Sequence, residues 1–176
     1  MKPQLSHVGI YVNDSDRMIR FYEDVLELTV TDRGLSSSAK QPITFMSSHP
    51  GQHHQLVLVQ GRARDVPSTV NQLSFKVASL AQLRAVAAKV TGRGIPLRQT
   101  SHGNAWSVYF PDPEGNQVEI YLDTPWHVAQ PHGDAIDFAL SDADIYAQTE
   151  ARVRADSTFK TKESREVELA KILGVH

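Results

Sequence analysis

The strongest constraint on the fold of this chain is an internal repeat, in which one order of strand-like and helix-like segments occurs twice. Each copy opens with alternating apolar residues, at 5–12 and again 65 positions later at 70–77, and then changes to helical spacing. The turns before the last strands align Gly51 with Gly115, an offset of 64. Two registrations that agree within one residue indicate a duplicated unit.

Each copy predicts one helix followed by three strands, so the repeated unit is β-α-β-β-β. An apolar stripe at i, i+3, i+4, i+7 and i+8 marks the first helix, and Ser79 with Gln82 forms a capping-box pattern that opens the second. The stripes are Met18, Phe21, Tyr22, Val25 and Leu26, then Leu83, Val86, Ala87 and Val90. The later strand-like runs are 27–32, 42–47 and 53–60, then 95–100, 105–110 and 116–122.

We therefore predict an α+β fold: two tandem βαβββ modules that form a cup-shaped sheet, followed by a partly helical C-terminal tail. The predicted boundaries are 1–123 for the paired domain, with modules at about 1–61 and 68–123, and 124–176 for the tail. In the tail, an extended arm at 124–133 precedes a helix from Ser141 to about Ala155 and another at 161–173. We expect the tail to pack on the core or on a partner subunit.

Composition and charge exclude several classes of function. The formal net charge is -2 and the histidines are scattered, so the basic stripe of a nucleic-acid-binding protein is missing. No stretch approaches the roughly 20 apolar residues of a membrane span. The N-terminus lacks a secretory signal pattern, which predicts a cytoplasmic protein. Because the chain has no cysteine, any metal must be held by histidine, carboxylate or amide groups.

Four polar positions occupy equivalent places in the two modules. His7 and Gln72 lie on the first strands, and Gln55 and Glu119 lie on the last strands. Strand alternation turns His7 away from the apolar neighbours Val8, Ile10 and Val12. A single His or Glu on a strand is weak support for a site, but the symmetric register of four donors predicts a metal site at His7, Gln55, Gln72 and Glu119, with Gln55 the least supported.

Several motifs in residues 5–123 resemble one known family. They are Ser-His7-Val-Gly-Ile, His53-His54-Gln-Leu, Val-Asn71-Gln72-Leu-Ser-Phe, His102-Gly-Asn104, and the most specific stretch, Tyr109-Phe-Pro-Asp-Pro-Glu-Gly-Asn-Gln-Val-Glu119. The chain is thus similar to the glyoxalase/bleomycin resistance/extradiol dioxygenase superfamily, also called the vicinal-oxygen-chelate superfamily. It is closest to the catalytic half of type I extradiol dioxygenases that cleave 2,3-dihydroxybiphenyl. The additional N-terminal pair of modules in those enzymes is absent here.

The resemblance implies a metal-dependent ring-cleavage dioxygenase that acts on a catechol-type aromatic diol. Iron(II) is the implied cofactor, with His7 as the first histidine ligand and Glu119 as the carboxylate. His54 falls at the position of an acid-base histidine, and His102, Asn104 and Tyr109 fall where residues contact the substrate. We assign His54, His102 and Tyr109 to catalysis and Asn104 and His53 to substrate binding. A small aromatic or oxygen-chelating substrate and a homodimer or larger homo-oligomer are the expected partners, with no nucleic acid and no membrane.

One departure from the dioxygenase pattern leaves alternatives open. Gln72 stands where the dioxygenases have a histidine, so Zn, Mn, Ni or Mg is as reasonable as iron. A glyoxalase-type isomerase, lyase or thiol transferase is therefore a second interpretation. A third is a bleomycin-resistance-like protein that binds an aromatic ligand without catalysis. Strict alternation also places His53 on the face of Gln55, whereas the resemblance favours His54.

Overall fold

The structure is a computed structural model that describes residues 2–38 and 40–175. Met1, Ala39 and His176 fall inside the predicted module and tail ranges but outside the described residues. The chain divides into two compact units, the first comprising residues up to Leu73 with Pro111–Gln117, the second Ser74–Phe110 with Val118 onward. The βαβββ order occurs twice, so the predicted α+β class is confirmed. The domain limits 1–123 and 124–176 stay a prediction.

The first unit contains one four-stranded sheet covered by one helix. Its elements are β1 (Val8–Val12), α1 (Ser15–Leu26), β2 (Thr29–Leu35), β3 (Pro42–Ser47) and β4 (Leu56–Gln60). The sheet order is β1-β4-β3-β2, with β1 parallel to β4 and β3 antiparallel to both neighbours. The predicted alternation is confirmed, because Ile10 and Val12 are buried whereas Gly9 and Tyr11 are exposed. The apolar stripe of α1 is also buried, apart from the half-buried Leu26.

The turn Asp-Pro-Glu-Gly-Asn at 112–116 is built around a buried carboxylate of the first unit. Asp112 Oδ1 accepts the backbone N–H groups of Glu114 and Asn116, both at 2.9 Å. Asp112 Oδ2 accepts the hydroxyl of Tyr22 from α1 at 3.0 Å. An aspartate that accepts from the backbone two and four residues ahead holds the chain in a tight turn. The motif therefore fixes the turn and anchors it to α1.

The second unit repeats the pattern with a second four-stranded sheet. The elements of this repeat are β5 (Gln72–Lys76), α2 (Leu80–Thr91), β6 (Arg98–Ser101), β7 (Ala105–Pro111) and β8 (Gln117–Asp123), in the sheet order β5-β8-β7-β6. The strand ends at Gln72, Leu73, Pro111 and Gln117 are grouped with the first unit. The predicted cap of α2 is confirmed, since Ser79 Oγ accepts Gln82 N–H at 3.2 Å. The reciprocal bond of Gln82 Oε1 goes to Ala78 N–H at 2.8 Å. Leu83 and Val90 are buried, and Val86 and Ala87 are half-buried.

The tail packs on the second unit's own core. Its elements are β9 (Trp126–His127), α3 (Asp142–Ala155), β10 (Lys160–Thr161) and α4 (Lys162–Leu173), with β9 antiparallel to β10. Both predicted tail helices are confirmed, capped by Ser141 and Thr161. From α3, Thr149 Oγ1 accepts the indole N–H of the fully buried Trp106 at 2.8 Å. Within the described residues, no helix is long and apolar enough to cross a membrane.

A carboxylate at the end of β8 ties the tail to the sheet. Asp123 Oδ2 lies 2.6 Å from Lys76 Nζ on β5 and 2.8 Å from Lys162 Nζ at the start of α4. Burial alone would raise the pKa of Asp123, but the two ammonium groups outweigh burial and hold that pKa below its ordinary value. The charge of Asp123 therefore stabilises the attachment of α4.

Three strands begin three residues later than predicted, which moves several site residues out of regular structure. The runs expected from 5, 53 and 95 begin at Val8, Leu56 and Arg98. Pro96 lacks the N–H that a sheet ladder requires, which explains the third case. His7 therefore lies just before β1, and His53 and His54 lie in the turn before β4. Alternation, which predicted the orientation of His53, does not extend to that turn.

Candidate functional site

Three neighbouring strands of the second unit place a carboxylate among hydroxyl groups. Glu119 lies on β8 between Ser74 on β5 and Tyr109 on β7, and it is only 8% exposed. Glu119 Oε2 accepts the Ser74 hydroxyl at 2.6 Å, and Glu119 Oε1 accepts the Tyr109 hydroxyl. Each carboxylate oxygen is thereby held by one neutral donor, which fixes the side chain rotamer.

A histidine extends this line of hydrogen bonds. His102 follows β6, and its Nε2 lies 2.7 Å from Tyr109 Oη. Its Nδ1 lies 2.7 Å from the backbone oxygen of His132 in the tail. A carbonyl oxygen only accepts, so Nδ1 carries a proton and Nε2 is the nitrogen that faces the tyrosine. The tail thus selects the tautomer and orientation of His102.

Hydrogen bonds connect the His132 carbonyl, His102, Tyr109 and Glu119 in one line. When the imidazole and the phenol are neutral and the carboxylate is ionised, the three side chains hold one proton too few to form every hydrogen bond in this line. Tyr109 has a single hydroxyl proton, yet it lies between Nε2 of His102 and Oε1 of Glu119. Full hydrogen bonding therefore demands either imidazolium with carboxylate or neutral imidazole with carboxylic acid. Both forms have no net charge and differ only by proton shifts along the line. The arrangement is suited to moving a proton.

The pKa shifts in this line follow from burial and hydrogen bonding. Burial, followed by the hydrogen bond to Glu119, raises the pKa of Tyr109 to about 12. Burial also acts to raise the pKa of Glu119, but the hydrogen bonds from Ser74 and Tyr109 outweigh it and lower that pKa. At neutral pH the tyrosine is therefore a neutral donor beside an ionised carboxylate.

These groups open on a cleft in the second unit with a volume of about 330 Å³. Its lining includes Ser74, His102, Asn104, Glu119, Tyr121 and Gln130. The Gln130 side chain donates to the backbone oxygen of His102 at 2.9 Å and approaches Asn104 Oδ1 at 3.4 Å. Of the predicted site residues, His102, Asn104, Tyr109 and Glu119 are thus brought together. Sequence reasoning missed Ser74, which shares the strand face of Gln72, and Gln130, for which the arm offers no periodic signal.

The first unit gathers three histidines in front of β1 and β4. The rings of His7 and His54 have centroids 4.2 Å apart, and Nδ1 of His53 lies 2.9 Å from Nδ1 of His54. His53 turns its Nε2 toward Asp32 Oδ2 at 3.4 Å. Of the two adjacent histidines, His54 is therefore the residue whose ring packs on His7. Desolvation, then the charges of His7 and His53, lower the pKa of His54.

The two glutamines of the predicted quartet have different surroundings. Gln55 Oε1 accepts Ser48 N–H and Ser48 Oγ–H, both at 3.0 Å, so its amide oxygen is already used by the β3–β4 turn. Gln72 is exposed at the start of β5, with Gln117 Nε2 at 3.4 Å from its Oε1. The metal role of Gln55 stays a prediction, and the local hydrogen bonds favour a structural role.

The predicted quartet offers one imidazole, two amides and one carboxylate, so it lacks the second histidine of an iron(II) triad. In the described ranges 2–38 and 40–175, no three His, Asp or Glu side chains are grouped to hold a metal ion. Nevertheless, Ser6 Oγ holds His7 Nδ1 at 2.8 Å, and two hydroxyls hold Glu119, as outer-shell groups do around metal ligands. His7, Gln55 and Gln72 belong to the first unit and Glu119 to the second, so the quartet stays a prediction.

A sequence comparison identifies the family to which the repeat corresponds. The model of the Glyoxalase/Bleomycin resistance protein/Dioxygenase superfamily matches residues 4–120, which is two thirds of the chain. The match runs from before β1 into β8, so it spans the two βαβββ repeats up to residue 120, and the tail lies outside it.

Relatives of this chain share the fold at low sequence identity. An uncharacterized protein, YwbC, from Bacillus subtilis (strain 168) is 24% identical over 124 residues, 69% of this chain and 98% of the relative. A glyoxylase/bleomycin resistance protein/dioxygenase domain from Frankia sp. EAN1pec has a TM-score of 0.61 at 23% identity, covering 70% of this chain and 100% of that one.

Two further structures carry functional names. A single-residue mutant of the fosfomycin resistance protein FosX from Listeria monocytogenes, complexed with Mn(II) and 1S,2S-dihydroxypropylphosphonic acid, has a TM-score of 0.56 at 17% identity, with 70% of this chain and 95% of that one covered. A lactoylglutathione lyase from Agrobacterium tumefaciens has a TM-score of 0.50 at 20% identity, with 69% and 94% covered. Identities this low establish a common fold only.

Proposed function

Because this chain belongs to the glyoxalase/bleomycin resistance/dioxygenase superfamily, we propose that it is a metal-dependent enzyme that cleaves a catechol-type aromatic diol by extradiol chemistry. The observation that carries the proposal is the hydrogen-bonded line from His102 through Tyr109 to Glu119. It joins two groups assigned to acid-base catalysis directly to the carboxylate assigned to the metal. A cytoplasmic homodimer or larger homo-oligomer remains part of the proposal.

His7, Gln72 and Glu119 are the proposed metal ligands, with Gln55 a weaker candidate. A bound metal would supply Lewis acidity to the oxygens of the substrate, and iron(II) is the cation suited to chemistry with dioxygen. Ser6 and Ser74 would orient His7 and Glu119 through the hydrogen bonds described above.

The remaining roles follow from the protonation states of the side chains. Tyr109, with its pKa near 12, stays protonated, and its hydroxyl would exchange Glu119 for an oxyanion that develops on the substrate as its acceptor. His102 Nε2 exchanges a proton with the tyrosine hydroxyl while His132 keeps the ring in place. The lowered pKa of His54 keeps that imidazole neutral at neutral pH, able to accept a proton from a substrate hydroxyl. Asn104 in the cleft and His53 beside His54 would contact the substrate.

Oxygen consumption tests the proposal directly. The protein is reconstituted anaerobically with iron(II), the bound iron is quantified, and oxygen uptake is followed with a panel of catechols. We expect uptake with at least one catechol, and a loss of kcat/KM of roughly 10²- to 10⁴-fold in Tyr109→Phe. Tyr121→Phe is the matched control, because it removes the hydroxyl of a tyrosine that lines the cleft but lies outside the hydrogen-bonded line. Stoichiometric iron without uptake from any catechol would contradict the proposed reaction.

Gln72 favours a second candidate, a glyoxalase-type isomerase, lyase or thiol transferase that uses Zn, Mn, Ni or Mg. An amide oxygen is a harder and more weakly binding donor than imidazole. Elemental analysis of the protein as purified separates the two candidates. Bound iron supports ring cleavage, whereas Ni, Zn or Mn without iron in every preparation supports the glyoxalase-type enzyme. Gln72→His supplies the missing imidazole. We expect this variant to bind iron(II) at least tenfold more tightly if residue 72 is a ligand, and equally if it is not.

A further inference from the structure

The second unit contains another cleft, on the side of His102 that faces the tail. It has a volume of about 550 Å³ and lies between β6 and the tail segment 131–135. Reciprocal backbone bonds between Ser101 and Asp134, of 2.9 and 2.8 Å, hold that segment against β6. The walls are thus connected by backbone hydrogen bonds, and none of the roles assigned above uses the interior.

A single arginine, Arg98, lines this cleft. Arg98 is the cross-strand neighbour of Tyr109, and its guanidinium carbon lies 4.2 Å from the centre of the tyrosine ring. One guanidinium nitrogen, Nη1, donates to Thr100 Oγ1 at 2.7 Å. Within the described part of the chain, no carboxylate forms an ion pair with Arg98. The ring and the hydroxyl orient the guanidinium, and most of its five N–H donors stay available.

The other polar groups of the cleft are already engaged. Asp134, the carboxylate among the lining residues, lies 3.2 Å from His132 Nε2. Gln99 Oε1 accepts the backbone N–H of Phe138 at 2.7 Å, and both ring nitrogens of His102 have partners. The carboxylate of Asp134 is turned toward His132, so Arg98 lines the cleft without a carboxylate partner among the described residues. An oriented guanidinium without such a partner binds planar oxyanions through paired hydrogen bonds.

We propose that this cleft binds the carboxylate group of an anionic substrate, with Arg98 as its recognition residue. The inference deepens the proposed function and rests on it for the position of the reacting group at Glu119. Tyr109 joins the two places, since its ring lies beneath Arg98 and its hydroxyl contacts Glu119. A carboxylate held by Arg98 therefore sits about one ring away from the groups that move the proton. The substrate class is an aromatic or other oxygen-chelating molecule that carries a carboxylate substituent.

Binding of simple carboxylates tests this inference without any turnover. The full chain as purified is titrated with benzoate, with the neutral isostere benzamide and with inorganic phosphate at constant ionic strength, and the arginine side-chain N–H signals are followed by NMR. We expect benzoate to bind at least tenfold more tightly than benzamide and phosphate, and Arg98→Gln to weaken benzoate binding at least tenfold. Arg64→Gln, an equal charge change at an exposed loop residue, should alter it less than twofold.

Three outcomes would overturn the inference. Equal benzoate affinities in the wild type and Arg98→Gln would show that Arg98 does not recognise the ligand. Equal affinities for benzamide and benzoate would show that the negative charge of the ligand is not recognised. If phosphate bound as tightly as benzoate and with the same dependence on Arg98, the group that the cleft recognises would be a phosphate and not a carboxylate. Arg98→Lys keeps the positive charge but loses the paired N–H donors of the guanidinium, so it should bind benzoate with intermediate affinity. This variant replaces Arg98→Gln in the test if Arg98→Gln does not fold. Arg98-dependent benzoate binding in a protein that cleaves no catechol would refute the reaction alone.

Discussion

Replacing Tyr109 with phenylalanine removes one oxygen atom and keeps the ring that Arg98 covers. That oxygen is hydrogen-bonded to an ionised carboxylate, Glu119, and to an imidazole, His102, and the tyrosine is only 8% exposed. Water cannot readily take its place in so buried a position, so both partners lose a hydrogen bond on substitution. Ser74 still holds the other oxygen of Glu119.

The magnitude follows from the kind of bond that is lost. A hydrogen bond to a charged group contributes about 1.5–3 kcal/mol, so we expect Tyr109→Phe to lower the free energy of unfolding by about 2 kcal/mol. For a chain of this size, that loss corresponds to a decrease in Tm of about 4–8 °C. The loss of kcat/KM expected in the catechol assay is a separate effect, because it concerns proton transfer rather than folding.

The assay is thermal unfolding monitored by circular dichroism, at pH 7 and without substrate. Tyr121→Phe is the matched control, since within the described residues the Tyr121 hydroxyl has no hydrogen bond to a side chain or backbone group, and its Tm should change by less than about 1 °C. If Tyr109→Phe melted within about 1 °C of the wild type, or if the two variants were equally destabilised, the line of hydrogen bonds would contribute nothing and the reasoning would be wrong.

Two further substitutions test other features of the second unit. Asp123→Asn should lower the free energy of unfolding at pH 7 by about 0.5–1 kcal/mol, because two partly exposed lysine pairs are lost. The Asp123 pKa is lowered in the folded state, so this stabilisation is present above the ordinary aspartate pKa and lost as pH falls through the lowered one, and urea titrations of the two proteins should converge there. Gly103→Ala should cost about 2–5 kcal/mol, since φ is +74° and a Cβ would lie 2.6 Å from Val128 Cγ2. At Gly94 φ is +69° but no atom lies within 4 Å of the Cβ position, so Gly94→Ala should lower the free energy of unfolding by only about 1–2 kcal/mol in the same melts. Equal losses in the two variants would exclude a steric contribution at Gly103.

The repeat in the sequence was sufficient to predict the order of strands and helices, because apolar periodicity reflects the burial of one face in each element. Alternation along β1 is confirmed for the same reason. The cap of α2 is confirmed because it depends on a local hydrogen bond between the Gln82 N–H and the Ser79 hydroxyl. Alternation failed where it was extended beyond a strand. His53, His54 and Gln55 lie in the turn before β4, where the side-chain directions depend on turn hydrogen bonds.

The candidate site was predictable only in part. Tyr109 and Glu119 stand on adjacent strands within regular structure, and the family motifs include both. The contributions of Gln130 and His132 come from an arm without periodicity. His132 acts through its backbone oxygen, which every residue type possesses, so no pattern of side chains could indicate it. His7 and Glu119 belong to different units, and the periodicity within each strand does not predict how residues of the two units come together. Their assembly into one site stays a prediction.

The peptide oxygen of His132 gives the imidazole of His102 an anchor that does not ionise. A carboxylate in the same position would lose its charge in acid and release the ring, whereas an amide carbonyl accepts equally well across the whole range in which proteins fold. The nitrogen that faces Tyr109 is then the one that can exchange a proton with the tyrosine hydroxyl. The ring is thus oriented by the peptide backbone of a segment that lies beyond residues 4–120, the part of the chain that the superfamily model matches.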